Sequence, residues 1–119
     1  MAVNRPGIMT REFYYPVLDT FMRALPFAYR KVQARAGTLA EFRISGECGG
    51  TWFLFRKNGA WALTAAPLGE ISSETTIPQE IAWRIFTKGI KREEAEPQVR
   101  VTGNAEISLH ILGMISIVG

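Results

Sequence analysis

The chain has little of what catalytic and metal centres are most often built from. Its 119 residues include one cysteine, Cys48, and one histidine, His110. A single cysteine excludes an internal disulfide and fits a reducing compartment. A single histidine, distant in sequence from that cysteine, falls short of the ligand set a zinc site needs. Cys48 lies in the glycine-rich segment GECGG, residues 46–50, read as a flexible loop. No activating base or electropositive niche is visible for it, so an incidental thiol is expected. GECGG also lacks the Lys-Ser/Thr of a phosphate-binding loop and leads into a strand instead of a helix. The net charge is only +3 and the basic residues are scattered. A nucleic-acid binder would show a basic stripe, so no nucleic-acid partner is expected. No apolar run approaches the ~20 residues that span a bilayer. The opening MAVNRPGIMTREF lacks the apolar core of a signal peptide. The expectation is a cytoplasmic protein with no catalytic residue, no metal and no cofactor, hence not an enzyme. There are no repeats and no low-complexity segments.

What is present is apolar. Apolar residues make up 47% and charged residues 21% of the chain, as in a soluble globular domain. The length allows one domain, residues 1–119, with a real core. Residues 1–10 read as a loose N-terminal arm. The stretch that organises the rest is TWFLFRKNGAWALT, residues 51–64. Asn58 and Gly59 form the pair that best tolerates positive φ at both centres of a two-residue hairpin turn. That turn sets Arg56 opposite Trp61, Leu54 opposite Leu63 and Phe53 opposite Thr64. One face then carries Trp52, Leu54, Arg56, Trp61 and Leu63. The other carries Phe53, Phe55, Ala62 and Thr64. Both are largely apolar, which predicts cover on both sides and a place in the middle of a sheet.

Before the hairpin, Val17, Leu18, Phe21, Met22 and Leu25 recur at helical spacing, with Pro16 in the first turn. Pro26 predicts a break, followed by a short helix over residues 27–34 that Gly37 stops. Residues 38–46 alternate, with Ala40, Phe42 and Ile44 on one side, and read as a half-buried strand. Residues 70–77, rich in Thr, Ser and Ile, read as a fourth strand. Pro78 opens a helix to about Lys88, with Ile81, Ala82, Ile85 and Phe86 inward and Trp83 at the margin. Residues 91–98 are a polar connection or short helical turn, with Glu93, Glu94 and Glu96 as a solvated face. Residues 99–102 form a fifth strand, Gly103-Asn104 a turn, and residues 105–118 a last helix that is apolar on most sides. The fold class is α+β, with a five-stranded, mostly antiparallel sheet and helices mainly on one face. His110 is read as a packed or surface residue of the last helix.

The second half resembles the sterol carrier protein type 2-like domain. The resemblance rests on VRVTGNAEISLHIL, residues 99–112, preceded by a helix with TKG, residues 87–89. Over residues 9–119 the chain is also similar to the sterol-carrier-like C-terminal region of mycothiol-dependent maleylpyruvate isomerase and DinB-like proteins. REFYYPVLDTFMRALP, GECGGTWFLFR, AWRIFTKG and LGMISIVG have counterparts there. The resemblance implies an apolar tunnel between sheet and helices that takes fatty acyl chains, sterols or similar lipids. In the isomerase-like proteins the catalytic metal belongs to a separate helix bundle, which this chain lacks, so no catalytic residue carries over. The candidate pocket residues are Phe53, Phe55, Trp83, Phe86, Ile111 and Met114. Trp52, Leu54 and Trp61 are the alternative if the other hairpin face points inward. A rival expectation is an interaction module: a homodimer, or an accessory to a separately encoded thiol-dependent helix-bundle enzyme.

Overall fold

The computed structural model describes residues 11–88 and 90–113. Five strands, β1 (Leu39–Ser45), β2 (Gly50–Lys57), β3 (Ala60–Thr64), β4 (Ser73–Pro78) and β5 (Arg100–Gly103), form one sheet. The spatial order is β3-β2-β1-β4-β5. Three of the pairings are antiparallel, and β1 with β4 is parallel. The fold is therefore α+β with a mixed, mostly antiparallel sheet. The Asn58-Gly59 turn forms with φ of 54° and 77°. It fixes the expected register: Arg56 opposite Trp61, Leu54 opposite Leu63, Phe53 opposite Thr64. The hairpin is not the middle of the sheet, however. β3 is an edge strand and β1 is central. Centrality explains why β1 buries Leu39 and Glu41 as well as Ala40, Phe42 and Ile44, although its sequence alternates like a half-exposed strand.

Before the sheet lie α1 (Arg11–Met22) and α2 (Leu25–Ala28). Tyr14, Leu18, Met22 and Leu25 are buried at the i, i+4, i+8, i+11 spacing of a helix face. Pro16 sits inside α1 and not in its first turn. The break comes at Arg23 and Ala24, ahead of Pro26, which occupies the opening turn of α2, where a missing N–H costs nothing. The second helix ends at Ala28, well short of Ala34. Gly37, at φ 92°, belongs to the turn leading into β1.

After β4 come α3 (Gln79–Trp83) and a π-helical turn, Arg84–Lys88. The short α4 (Arg92–Ala95) and a 3-10 turn, Glu96–Gln98, lead to β5. Beyond it, α5 (Ala105–Leu109) passes into a 3-10 turn, His110–Gly113. Asn104 caps α5, its side-chain oxygen accepting from the Ile107 N–H at 3.2 Å. The predicted last helix is thus helical over residues 105–113, and its remainder lies outside the described residues, as does the predicted arm over residues 1–10.

All these helices feed one core cluster. It joins Tyr14, Leu18, Met22, Leu25 and Tyr29 to Ala40, Phe42, Ile44, Trp52, Leu54 and Trp61, and to Ile81, Ile85, Phe86, Ile107 and Ile111. The strand members all lie on one sheet face, hereafter the inner face. Cys48 belongs to this cluster and is fully buried, with its N–H bonded to the Gln79 side chain at 2.9 Å. GECGG is accordingly a packed corner and not a mobile loop.

Candidate functional site

The register decides which side chains face the helices. Phe42 pairs with Trp52 on one side and Thr75 on the other; Ala40 pairs with Leu54 and Ser73. Alternation then puts Trp52, Leu54, Arg56, Trp61 and Leu63 on the inner face with them. Phe53 and Phe55 lie on the opposite, outer face. They are half-buried and stand apart from the core cluster. The candidate set is thus divided. Phe86 and Ile111 are buried in the sheet–helix layer, and Trp83 is half-buried at its margin, its ring 5.0 Å from Tyr14. Met114 lies outside the described residues. The alternative set, Trp52, Leu54 and Trp61, is the one that meets the helices.

Aromatic side chains hold this layer together. Phe21 stacks on Phe86 at 4.9 Å and Tyr15 on Trp52 at 5.7 Å. The Trp52 indole N–H donates to Asp19 at 2.9 Å. That bond, followed by Arg23, holds the Asp19 carboxyl below the usual carboxylate range. Tyr29 is wedged edge-on against Phe42 and Trp61. Its hydroxyl donates to the Ile107 carbonyl, tying α2 to α5 across the layer. The Tyr14 hydroxyl does the same to the Gln79 carbonyl, tying α1 to α3. Burial pushes both phenols well above their ordinary range; for Tyr14 the neighbouring Cys48 and Glu80 add to it. His110 bonds through Nε2 to the Ala28 carbonyl at 2.8 Å, which requires Nε2 to carry the proton, and its ring meets Tyr29 at 4.6 Å. The residue is nonetheless exposed at the helix surface. Among the described residues, no three of His, Cys, Asp and Glu gather as metal ligands would.

Two cavities touch the layer. The first, about 460 Å³, is lined by residues 33–38 of the α2–β1 connection together with Glu70, Ser72, Asn104 and Ile107. Ile107 and Ala34 belong both to this lining and to the core or its margin. The second, about 430 Å³, lies between α1 and the far end of the hairpin, among Tyr15, Asp19, Arg23, Trp52 and Leu63. Thr51 and Trp52 begin β2, whereas Thr38 lies level with Arg56 at its end, their backbones bonded at 2.9 Å. The cavities therefore sit toward opposite ends of β2. Both are clefts open to solvent, with volumes in the range of small-molecule sites.

No protein-family model matches the sequence, and no curated protein does. Solved structures do match in shape. Sterol Carrier Protein 2 Like 2 from Aedes aegypti superposes with a TM-score of 0.54, covering 85% of this chain and 95% of that one at 11% identity. The chain has the sterol carrier protein 2 fold. A ubiquinone synthesis protein, UbiJ-SCP2, gives a TM-score of 0.52 at 11% identity, covering 92% and 95% of the two chains. Sterol carrier protein 2 from Yarrowia lipolytica, in its apo form, gives 0.51 at 16% identity, covering 84% and 87%. Identities this low establish the sterol carrier fold and leave the chemistry to the site.

The polar residues inside the layer were the part missed in the candidate set. Arg56, Ser73, Thr75 and Ser108 are buried, and each has a side-chain polar atom without a hydrogen-bond partner. A signal for Arg56 was present in the sequence. The hairpin register already set it in a row of Trp52, Leu54, Trp61 and Leu63, where a charge is out of place.

Proposed function

We propose that the chain binds a hydrophobic small molecule, a fatty acyl chain or sterol-like lipid, between the inner sheet face and the helices, without catalysis. The observation that carries this reading is the first cavity. Its lining includes Ile107 of the apolar core and Ala34, which packs against that core, among otherwise mostly polar residues, so a ligand lodged there lies against the edge of the sheet–helix layer. The fold supports it, since proteins of this shape include ones named sterol carriers. The proposed walls are Trp52, Leu54, Trp61, Phe86 and Ile111. Trp83, and Met114 beyond the described residues, are proposed as margins. The test is titration of the protein with a fluorescent fatty acid. Saturable binding that weakens several-fold in Thr38→Trp, with an unchanged thermal midpoint, is expected from a residue lining the mouth. Absence of saturable binding in the wild type would overturn the reading.

The outer face favours a second reading. Phe53 and Phe55 are apolar, half-buried and separate from the core cluster there, whereas Leu39 beside them is fully buried. An interaction module would use this face for a second copy or for a separately encoded helix-bundle enzyme of the maleylpyruvate isomerase kind. A drop in assembly size in Phe53→Glu, with lipid binding absent from the wild type, would favour it over the carrier reading.

A further inference from the structure

Arg56 is 5% exposed, yet its side chain makes no hydrogen bond or ion pair among the described residues. Nε and one terminal nitrogen are sealed from solvent without an acceptor. Among the described residues, what faces it with opposite electrostatic character is the Trp61 ring, 5.3 Å from the guanidinium carbon. A ring face attracts a cation but does not accept from several N–H groups at once. Burying a charge with two of its nitrogens left in this state is unfavourable. A lysine in its place could shed its proton, whereas arginine stays charged. The side chain is therefore a standing demand for an anion.

Its position says where that anion comes from. Arg56 lies on the inner face, level with Thr38, which lines the first cavity. Glu70 lies in the same lining and makes no ion pair with it. Apolar Leu54 and Trp52 continue the row along β2 away from that end. Arg56 does not itself line the cavity, but a cation at the cavity end of an apolar row matches a molecule with an acidic head and an apolar tail.

We propose that Arg56 is a specificity-determining residue that pairs with the carboxylate of the bound ligand, so that the chain selects singly charged anionic amphiphiles over neutral lipids. The inference rests on the lipid-binding reading above. A carboxylate is favoured over a phosphate monoester because Arg56 is the only cation among the described buried polar residues, beside Glu41 on the outer face and the hydroxyls of Ser73, Thr75 and Ser108, while Arg35 in the cavity lining is exposed to solvent and balanced there by Glu70 in the same lining. One guanidinium balances one charge.

The test displaces N-phenyl-1-naphthylamine, an uncharged apolar dye, from the full chain with dodecanoic acid, dodecanol or dodecyl phosphate, under mildly alkaline conditions that ionise the acid. The wild type is expected to favour dodecanoate over dodecanol by about tenfold or more, the size of one charge-assisted hydrogen bond. Arg56→Gln should close that gap and leave displacement by dodecanol unchanged; Arg56→Lys should retain part of it. In the ligand-free state Arg56→Gln should keep or raise the thermal midpoint, whereas an arginine with a purely structural role would lower it. Equal displacement by acid and alcohol in the wild type overturns the proposal whatever the variants do, while dodecanol displacement keeps the carrier reading intact. A gap that survives Arg56→Gln also overturns it, and stronger displacement by the phosphate overturns the carboxylate assignment. If neither the dye nor dodecanol binds, the carrier reading falls and takes this inference with it.

Discussion

At the scale of single residues, close packing at the 46–50 corner leaves little freedom. A Cβ on Gly49 would stand 1.7 Å from the Ile44 carbonyl oxygen, a backbone atom that cannot swing aside. Gly49→Ala is expected to lose about 2–4 kcal/mol in a denaturant titration, through forced backbone displacement. Cys48, next to it and fully buried, should resist thiol reagents until the protein unfolds; rapid native labelling would contradict the packing. The tyrosines give a pH signature. Tyr14 and Tyr29 both have folded-state pKa values raised above the unfolded value of about 10. Above that pH the folded chain holds protons that the unfolded chain has released, so stability falls as pH rises. Below it neither group contributes a pH dependence. Phenolate absorbance from these two side chains should therefore appear together with unfolding, as followed by far-ultraviolet circular dichroism. Their ionisation in a fully folded protein would refute the burial.

At the scale of elements, the turn and cap chemistry carry much of the fold. Gly59 at φ 77° has open space around it, so Gly59→Ala meets conformational strain alone. A loss of about 1–2 kcal/mol is expected. Asn104→Ala should cost about 1 kcal/mol by removing the α5 cap, with Asn104→Asp largely sparing it. Thermal unfolding reads both. These same features explain what was legible in the sequence. The hairpin register followed from Asn58-Gly59, because a two-residue turn admits only one pairing. The five strands and their class followed from alternation and turn residues. Which hairpin face points inward did not, because Trp52/Leu54 and Phe53/Phe55 are equally apolar and only the long-range pairing with Phe42 and Ala40 distinguishes them. The parallel pairing of β1 with β4 was equally hidden, since strand order is set by contacts between distant segments. The α1 break was placed at Pro26 because proline breaks helix interiors. The chain instead turns at Ala24 and uses Pro26 in the opening turn of α2.

At the scale of the whole molecule, the sheet and helices form one apolar layer touched by cavities toward both ends of β2. No helix among the described residues is long and apolar enough to cross a membrane. The two hydroxyl ties, Tyr29 to α5 and Tyr14 to α3, fix helices to one another. Replacing Tyr29 by Phe removes one tie, a buried hydrogen bond, for a loss of about 1 kcal/mol in denaturant titration. The central claim is that a lipid occupies this layer. Native mass spectrometry of protein purified from cells without added ligand addresses it most directly. The account predicts a fraction of the chain carrying one small apolar acid, released on organic extraction and regained on adding a fatty acid. A bare chain that stays bare after that addition would contradict it.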